Sequence, residues 1–328
     1  MKVARLYGVG DVRIVEEPAP EAGPGHSLVR TTAVGLCGSD LHWFAEGGIG
    51  DAVLRRPLVL GHEFAGVVEA GPLRGHRVAV DPAIPCGACA RCLEGNPNLC
   101  PTIRFAGHGD TDGGLRELLA WPDELLHPLP DGISDAGGAM LEPLGVAIHC
   151  FDLAKVRVGA SVAVIGCGPI GLMVLALARA AGAHPVIAVE PLEHRRTAAL
   201  AMGATVTLGP TEAADTQPDA DVVFEVAGTD EAVELALLAA RPGARVVLAG
   251  IPEDDRTTFT ASVARRKGLT LKLVRRMKHT YPRAIALARD NVVDVESLVT
   301  DRYPLTETAT AMATAIRRTG LKTVVDLP

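Results

Sequence analysis

A chain of 328 residues is longer than one ordinary hydrophobic core serves, so two domains are expected. Apolar residues make up 48% and charged residues 22%, which excludes a disordered chain, and a formal net charge of −7 argues against nucleic acid as a partner. No apolar run reaches the ~20 residues of a membrane span. The N-terminus does not read as an export signal, so the seven cysteines suggest metal ligation in the cytoplasm before disulfides.

Taken in order, Met1-Lys2-Val3-Ala4-Arg5-Leu6 alternates charged and apolar residues as a first strand does. Short β-type runs follow at 12–15, 28–34, 67–69 and 77–80, punctuated by Pro and Gly. They predict a barrel-like or sandwich β domain with long loops over residues 1–145. The pattern changes near Pro143. Apolar strands at 162–165, 186–189, 222–226 and 245–249 alternate with helices at 170–181, 193–202 and 230–240. Continuous apolar runs suit strands buried on both faces, and the alternation predicts a doubly wound parallel sheet over 146–276. A helix at 282–288 and short strands make up a tail, 277–328, too small to stand alone and expected to pack back on the first domain.

Two stretches of the first domain offer metal ligands. Gly61-His62-Glu63-Phe64-Ala65-Gly66, taken with Cys37-Gly38-Ser39-Asp40-Leu41-His42, contains a cysteine, a histidine and a glutamate. Three such ligands can hold a catalytic zinc and leave a position open. Adjacent His62 and Glu63 serve one ion only where the backbone turns sharply, and Gly61 and Gly66 suit that need. Taken alone, Cys37 is as readily a buried apolar residue, and His62-Glu63 a solvated surface pair. The second stretch, Cys86-x2-Cys89-x2-Cys92-x7-Cys100, lets four thiolates close the shell of one structural zinc. A redox Cys-x-x-Cys pair would instead place two cysteines at a helix start. Cys150 and Cys167 lack metal-like spacing and are expected in the core or a turn.

Between the strand at 162–165 and its helix lies Gly166-Cys167-Gly168-Pro169-Ile170-Gly171. In that context G-x-G-x-x-G predicts a dinucleotide site, the glycines letting backbone N–H groups approach a pyrophosphate at the helix N-terminus. Glu190, closing the next strand, is placed to accept the adenosine ribose hydroxyls. Its charge favours NAD over NADP, whereas Arg195 and Arg196 could accommodate a 2′-phosphate.

Cys37-Gly-Ser-Asp, Gly61-His-Glu, the four-cysteine segment, Glu142-Pro143-Leu144 and the fingerprint occur together and in this order. That combination resembles the zinc-containing medium-chain dehydrogenase/reductase family over essentially the whole chain. Cys37 to Asp51 and Pro57 to Glu63 are most similar to its sorbitol (L-iditol) and xylitol dehydrogenase branch, with L-idonate 5-dehydrogenase about as close. The resemblance implies a GroES-like catalytic domain made of both chain ends, an inserted Rossmann domain, substrate in the cleft between them, and a homotetramer or dimer. It implies two zinc ions per chain, Cys37, His62 and Glu63 around the catalytic one and Glu142 as a water-mediated partner or exchangeable ligand. It makes Ser39 and His42 the proton relay, and turns Trp43, Phe105, His108 and Arg276 toward substrate. Trp43 and Met277 stand where the polyol branch often has tyrosine, His108 replaces a small polar residue, and the 69–78 segment is short, with His76 where Asp is usual. A polyol oxidised to its ketose is the implied reaction. Alternatives are an aldonate dehydrogenase, an aldehyde-forming alcohol dehydrogenase, a zinc-free reductase on the same fold, or a non-catalytic zinc- and dinucleotide-binding protein.

Overall fold

The computed structural model describes residues 1–253 and 255–328. The chain divides into two compact units, one of Met1–Pro143, Tyr281–Arg289 and Val295–Pro328, the other of Leu144–Thr280 and Asp290–Asp294.

The first unit is built on a seven-stranded sheet. His26–Gly35 runs through it, antiparallel to Glu63–Ala70 on one side and to the C-terminal strand Lys322–Asp326 on the other. Its period of two turns Val29, Thr31 and Ala33 inward, and by Val34 and Gly35 every residue is buried. Leu58, Leu60, Phe64, Leu115 and Trp121 fill the core behind it. Phe64 and Trp121 meet edge to face with centroids 6.3 Å apart, a sizeable share of the packing in a chain with 3% aromatics. The tail returns to this unit through Tyr281–Arg289 and the strands Val299–Pro304 and Lys322–Asp326. It also contains the helix Thr308–Arg317, where short strands were expected. Alternating Thr and Ala look strand-like, but Thr308, Ala311 and Met312 share one buried helical face.

The second unit is a six-stranded parallel sheet. Its order is Val206–Leu208, Val186–Val189, Val162–Ile165, Ala220–Glu225, Ala240–Leu248, Thr270–Leu273. In chain order this is 3-2-1-4-5-6, a doubly wound fold whose order reverses between Val162–Ile165 and Ala220–Glu225. From sequence this domain closes at 276, but Met277–Thr280 belong to it. They pack closely on Gly145, where a Cβ would stand 2.5 Å from Met277 Sδ and 2.6 Å from Thr280 Oγ1. Among the described residues no helix is long and apolar enough to cross a membrane.

Candidate active site

The strand His26–Gly35 runs out just before Cys37, where the helix Gly38–Glu46 begins. Asp40 turns back to accept the Cys37 N–H at 3.0 Å and also takes the Gly61 N–H at 3.1 Å. One buried carboxylate thereby ties the turn bearing Cys37 to the turn preceding His62. Gly61 makes its turn at φ 92, and a side chain there would stand 2.6 Å from Val34 Cγ1. Gly66 serves a different purpose from the expected turn. It lies inside Glu63–Ala70, where a Cβ would collide with the Arg30 carbonyl, so glycine permits close strand packing.

Cys37, His62 and Glu63 each bring a donor atom to within 4.8 Å of the others. His62 and Glu63 are buried and Cys37 is half-buried. A thiol, an imidazole and a carboxylate so grouped fit a catalytic zinc. His62 Nδ1 faces Asp40 Oδ1 at 3.5 Å, and its Nε2 lies 3.5 Å from Ser39 Oγ. Burial opposes a proton on His62, yet Asp40 and Cys37 outweigh it and raise its pKa well above the usual value. A bound cation would take that proton's place. Burial likewise favours a neutral Asp40, but His62 and the Cys37 and Gly61 amides hold it below the ordinary carboxylate range.

Glu63 forms a buried ion pair with Lys322, a residue nothing in the local sequence marks. Their strands flank His26–Gly35, and they meet across it at Gly35. A Cβ at 35 would collide with Glu63 Oε2 and lie 3.2 Å from Lys322 Cε. Burial works against the Lys322 charge, but Glu63 first and Cys37 second raise its pKa.

Glu142 opens the helix Leu141–Ala154 and is buried, outside the three-donor group. Burial pushes its carboxyl up to about 8; His62 and Lys322 oppose the shift and Glu63 adds to it. His42 Nδ1 lies 2.9 Å from Glu46 Oε1, one turn on. The Phe105 ring stands 5.2 Å from that of His62, and His108 meets Trp43 edge-on at 5.5 Å. Trp43 itself is 1% exposed and packs in the core cluster of the first unit. Arg276 lies in the second unit with a left-handed backbone, φ 54.

Cys86, Cys89, Cys92 and Cys100 also bring their sulfurs within 4.8 Å of one another, Cys89 to Cys92 at 3.5 Å. The loop is open to solvent, with Cys86 exposed. Amides of Ala88 and Cys89 hold the Cys86 thiol down to about 6, the thiolate form that binds metal. Burial first, and hydrogen bonds with neighbouring thiols second, push Cys92 up to about 12, a cost of ionisation that a bound divalent cation offsets. Four thiols fit a structural zinc.

In the second unit the fingerprint joins Val162–Ile165 to the helix Pro169–Ala180. Gly166 has φ 97, Gly168 is the N-cap, and Pro169 and Ile170 open the helix. A Cβ on Gly171 would collide with the Gly166 carbonyl, so the third glycine is required for helix packing. Glu190 is buried and accepts the N–H groups of Cys167 at 2.7 Å and Leu192 at 3.1 Å. Arg196 is held by the carbonyls of Glu190 and Pro191 at 2.8 and 2.7 Å. Arg195 Nη1 lies beside the turn, 3.9 Å from where a Gly168 Cβ would be.

Residues 23–131 match the model of the alcohol dehydrogenase GroES-like domain, and 169–290 that of the zinc-binding dehydrogenases. Sorbitol dehydrogenase of Bacillus subtilis is 33% identical over 97% of this chain and 94% of its own. The chain belongs to the zinc-containing medium-chain dehydrogenase/reductase family. It is therefore an oxidoreductase of GroES-like plus Rossmann-like build. Among solved family structures, L-idonate 5-dehydrogenase of Escherichia coli superposes with a TM-score of 0.93 at 28% identity, covering 99% of this chain and 97% of that one. A Sinorhizobium meliloti dehydrogenase bound to NADP reaches 0.90 at 30% identity, covering 99% and 98%.

Proposed function

We propose that this chain oxidises a secondary hydroxyl of a sugar alcohol, sorbitol- or xylitol-like, to the ketose with hydride transfer to NAD, using one catalytic and one structural zinc. The observation that carries the proposal is the Cys37–His62–Glu63 donor group with Glu142 buried beside it. A carboxyl there, held largely protonated by its burial, offers both a hydrogen-bond donor and an acceptor to a polyhydroxylated substrate. Such sites reject analogues lacking the hydroxyls, often by ~10⁴ or more, so simple alkanols should be poor substrates. Similarity to sorbitol dehydrogenase supports the same substrate class.

Zinc, when bound, supplies Lewis-acid polarisation of the substrate hydroxyl, and the nicotinamide accepts the hydride. Cys37, His62 and Glu63 hold the ion. Asp40 fixes the ring of His62, and Lys322 balances the charge of Glu63. Ser39, whose Oγ lies 3.5 Å from His62 Nε2, takes the hydroxyl proton as it gives up its own. His42, paired with Glu46, passes it outward.

NAD is preferred over NADP because Glu190 would repel a 2′-phosphate and Arg196 is committed to backbone carbonyls. Arg195 is the group that could favour NADP. The test is kcat/KM with each cofactor: a ratio of NAD to NADP below one overturns the choice, and Glu190→Ala should erode the preference. Elemental analysis should find about two zinc ions per chain. A homo-oligomer, tetramer or dimer, is part of the proposal; Leu273 on the edge strand Thr270–Leu273 is 78% exposed, and Leu93 beside the cysteines is 76% exposed. A cytoplasmic setting goes with it, for a chain whose cysteines serve as ligands.

The second reading is an aldonate substrate, favoured by the overlay on L-idonate 5-dehydrogenase. The assignment of Arg276 to substrate rests on the family resemblance. Activity on sorbitol, xylitol and L-idonate, in the parental chain and in Arg276→Ala, separates the two. Aldonate turnover that collapses in the variant, with negligible polyol turnover in the parental chain, would replace polyol by aldonate.

A further inference from the structure

Glu225 ends the strand Ala220–Glu225 and is 1% exposed. Its Oε1 accepts the N–H of Ala227 at 2.8 Å and of Gly228 at 2.7 Å. Its backbone carbonyl takes the N–H of Ala249 at 2.8 Å and of Gly250 at 3.2 Å. The Gly250 amide faces the carboxylate as well, and a Cβ at 250 would stand 2.8 Å from Oε2. One residue therefore fastens the loop after its own strand to the loop after the neighbouring strand Ala240–Leu248. A carboxylate suits the task because, ionised, it only accepts hydrogen bonds and has two oxygens to do so.

The two loops lie backbone on backbone. A Cβ on Gly228, at φ 79, would stand 2.5 Å from the Ile251 carbonyl oxygen, and one on Gly250 would collide with the Gly228 amide. Ala227 in turn abuts the fingerprint, 3.0 Å from where a Gly166 Cβ would be. The fingerprint turn and the two loops thus make one continuous surface at the carboxyl ends of three adjacent strands, where doubly wound sheets bind ligands. The strand order divides that surface into two mononucleotide halves. Glu190, gripping the Cys167 amide, stands on the half that takes the adenosine ribose. Glu225 stands on the other.

We infer that Glu225 is a positioning residue for the nicotinamide half of the dinucleotide, holding two side-chain-poor loops in the arrangement against which that nucleotide lies. The inference rests on the dinucleotide assignment above. It is tested with the full chain and three probes: NADH and NADPH, followed by reduced-nicotinamide fluorescence, and ADP, followed by competition. Folding is checked by circular dichroism and Tm. Glu225→Gln keeps an oxygen for Ala227 and Gly228 but turns a donor on Gly250, so the tighter-binding dinucleotide should weaken by about three- to tenfold. Glu225→Ala should weaken it by about tenfold or more, while ADP, which lacks the nicotinamide half, stays within about twofold for both variants. Dinucleotide affinity within about twofold of parental in folded variants overturns the inference. So does an equal loss for ADP, the mark of general damage to the unit. If Glu225→Ala does not fold, Glu225→Gln decides by the same thresholds. A parental chain that binds neither NADH nor NADPH removes the dinucleotide assignment itself, and this inference with it.

Discussion

The two metal-type sites of the first unit use similar donors in opposite ways. The four cysteines come from fifteen consecutive residues of an exposed loop, and their sulfurs are positioned by the amides of the same loop. The other site draws Cys37 from the end of one strand and His62 and Glu63 from the start of another, with Lys322 from the far end of the chain. His62 and Glu63 are buried, and their partners, Asp40 and Lys322, are distant in sequence. A local site can be lost at a cost in stability without disturbing chemistry elsewhere in the unit. A site assembled over long range makes the fold's integrity a condition of its chemistry.

The largest expected effect is on turnover. Cys37→Ser should lower kcat/KM by at least about 10³-fold, the several kcal/mol expected of metal polarisation. Its Tm should stay near parental, because the half-buried thiol lies at the edge of the packed core. An equal fall in Tm for Cys37→Ser and Cys89→Ser would break the contrast between the two sites.

Next comes Lys322→Met, which leaves the Glu63 carboxylate buried without its cation. Such unpairing destabilises by about 3–5 kcal/mol, read as a lower denaturation midpoint. Zinc content should fall toward one ion, the four-cysteine loop keeping its own. Restored stability in Glu63→Gln/Lys322→Met would confirm that the loss came from an uncompensated charge. A Lys322→Met chain that keeps both ions and its midpoint would show that the long-range pair supports nothing.

Cys89→Ser should act the other way. Zinc falls by one ion and Tm declines, since a structural ion contributes folding free energy, while kcat per folded molecule is kept. A kcat that falls along with Tm would mean that the loop also supports the chemistry.

The smallest effect concerns another long-range contact. His127 stacks on Tyr281 of the returning tail at 4.4 Å, and burial lowers its pKa to about 4. Between about 6.5 and 4 the unfolded chain binds a proton that the native chain does not, so stability falls as pH drops through that window. His127→Phe keeps the stack and removes the proton. The difference in unfolding free energy between variant and parental chain should grow in the variant's favour by about 1–3 kcal/mol from pH 7 to pH 4. Parallel pH profiles for the two chains would assign the acid loss elsewhere.

Much of this was legible in the sequence because it is local. The fingerprint, the cysteine spacing and the apolar runs of the parallel sheet depend on neighbours a few residues apart, and the strands at 162–165 and 186–189 appear with those bounds. Cys37, His62 and Glu63 are ligand types by their chemistry alone, whereas nothing in the Cys37–His42 stretch shows that Asp40 reaches the Gly61 amide. The helix Thr308–Arg317 escaped because Thr–Ala alternation looks like a strand until packing chooses a face. The family resemblance turns Trp43 toward substrate, and local sequence does not show that it is also buried in the first unit's core.

What the sequence determined alone was therefore the inventory: two domains, a zinc-type donor set, a cysteine loop, a dinucleotide turn. Only the tertiary structure decided which charges support them. Lys322 reaches Glu63 because an antiparallel strand brings the chain end beside His26–Gly35 and Gly35 leaves room between them. Glu225 joins two loops because parallel strands lay their carboxyl ends side by side. Buried charges need partners wherever the fold can supply them, and strand pairing, which is blind to sequence separation, supplies them from far along the chain.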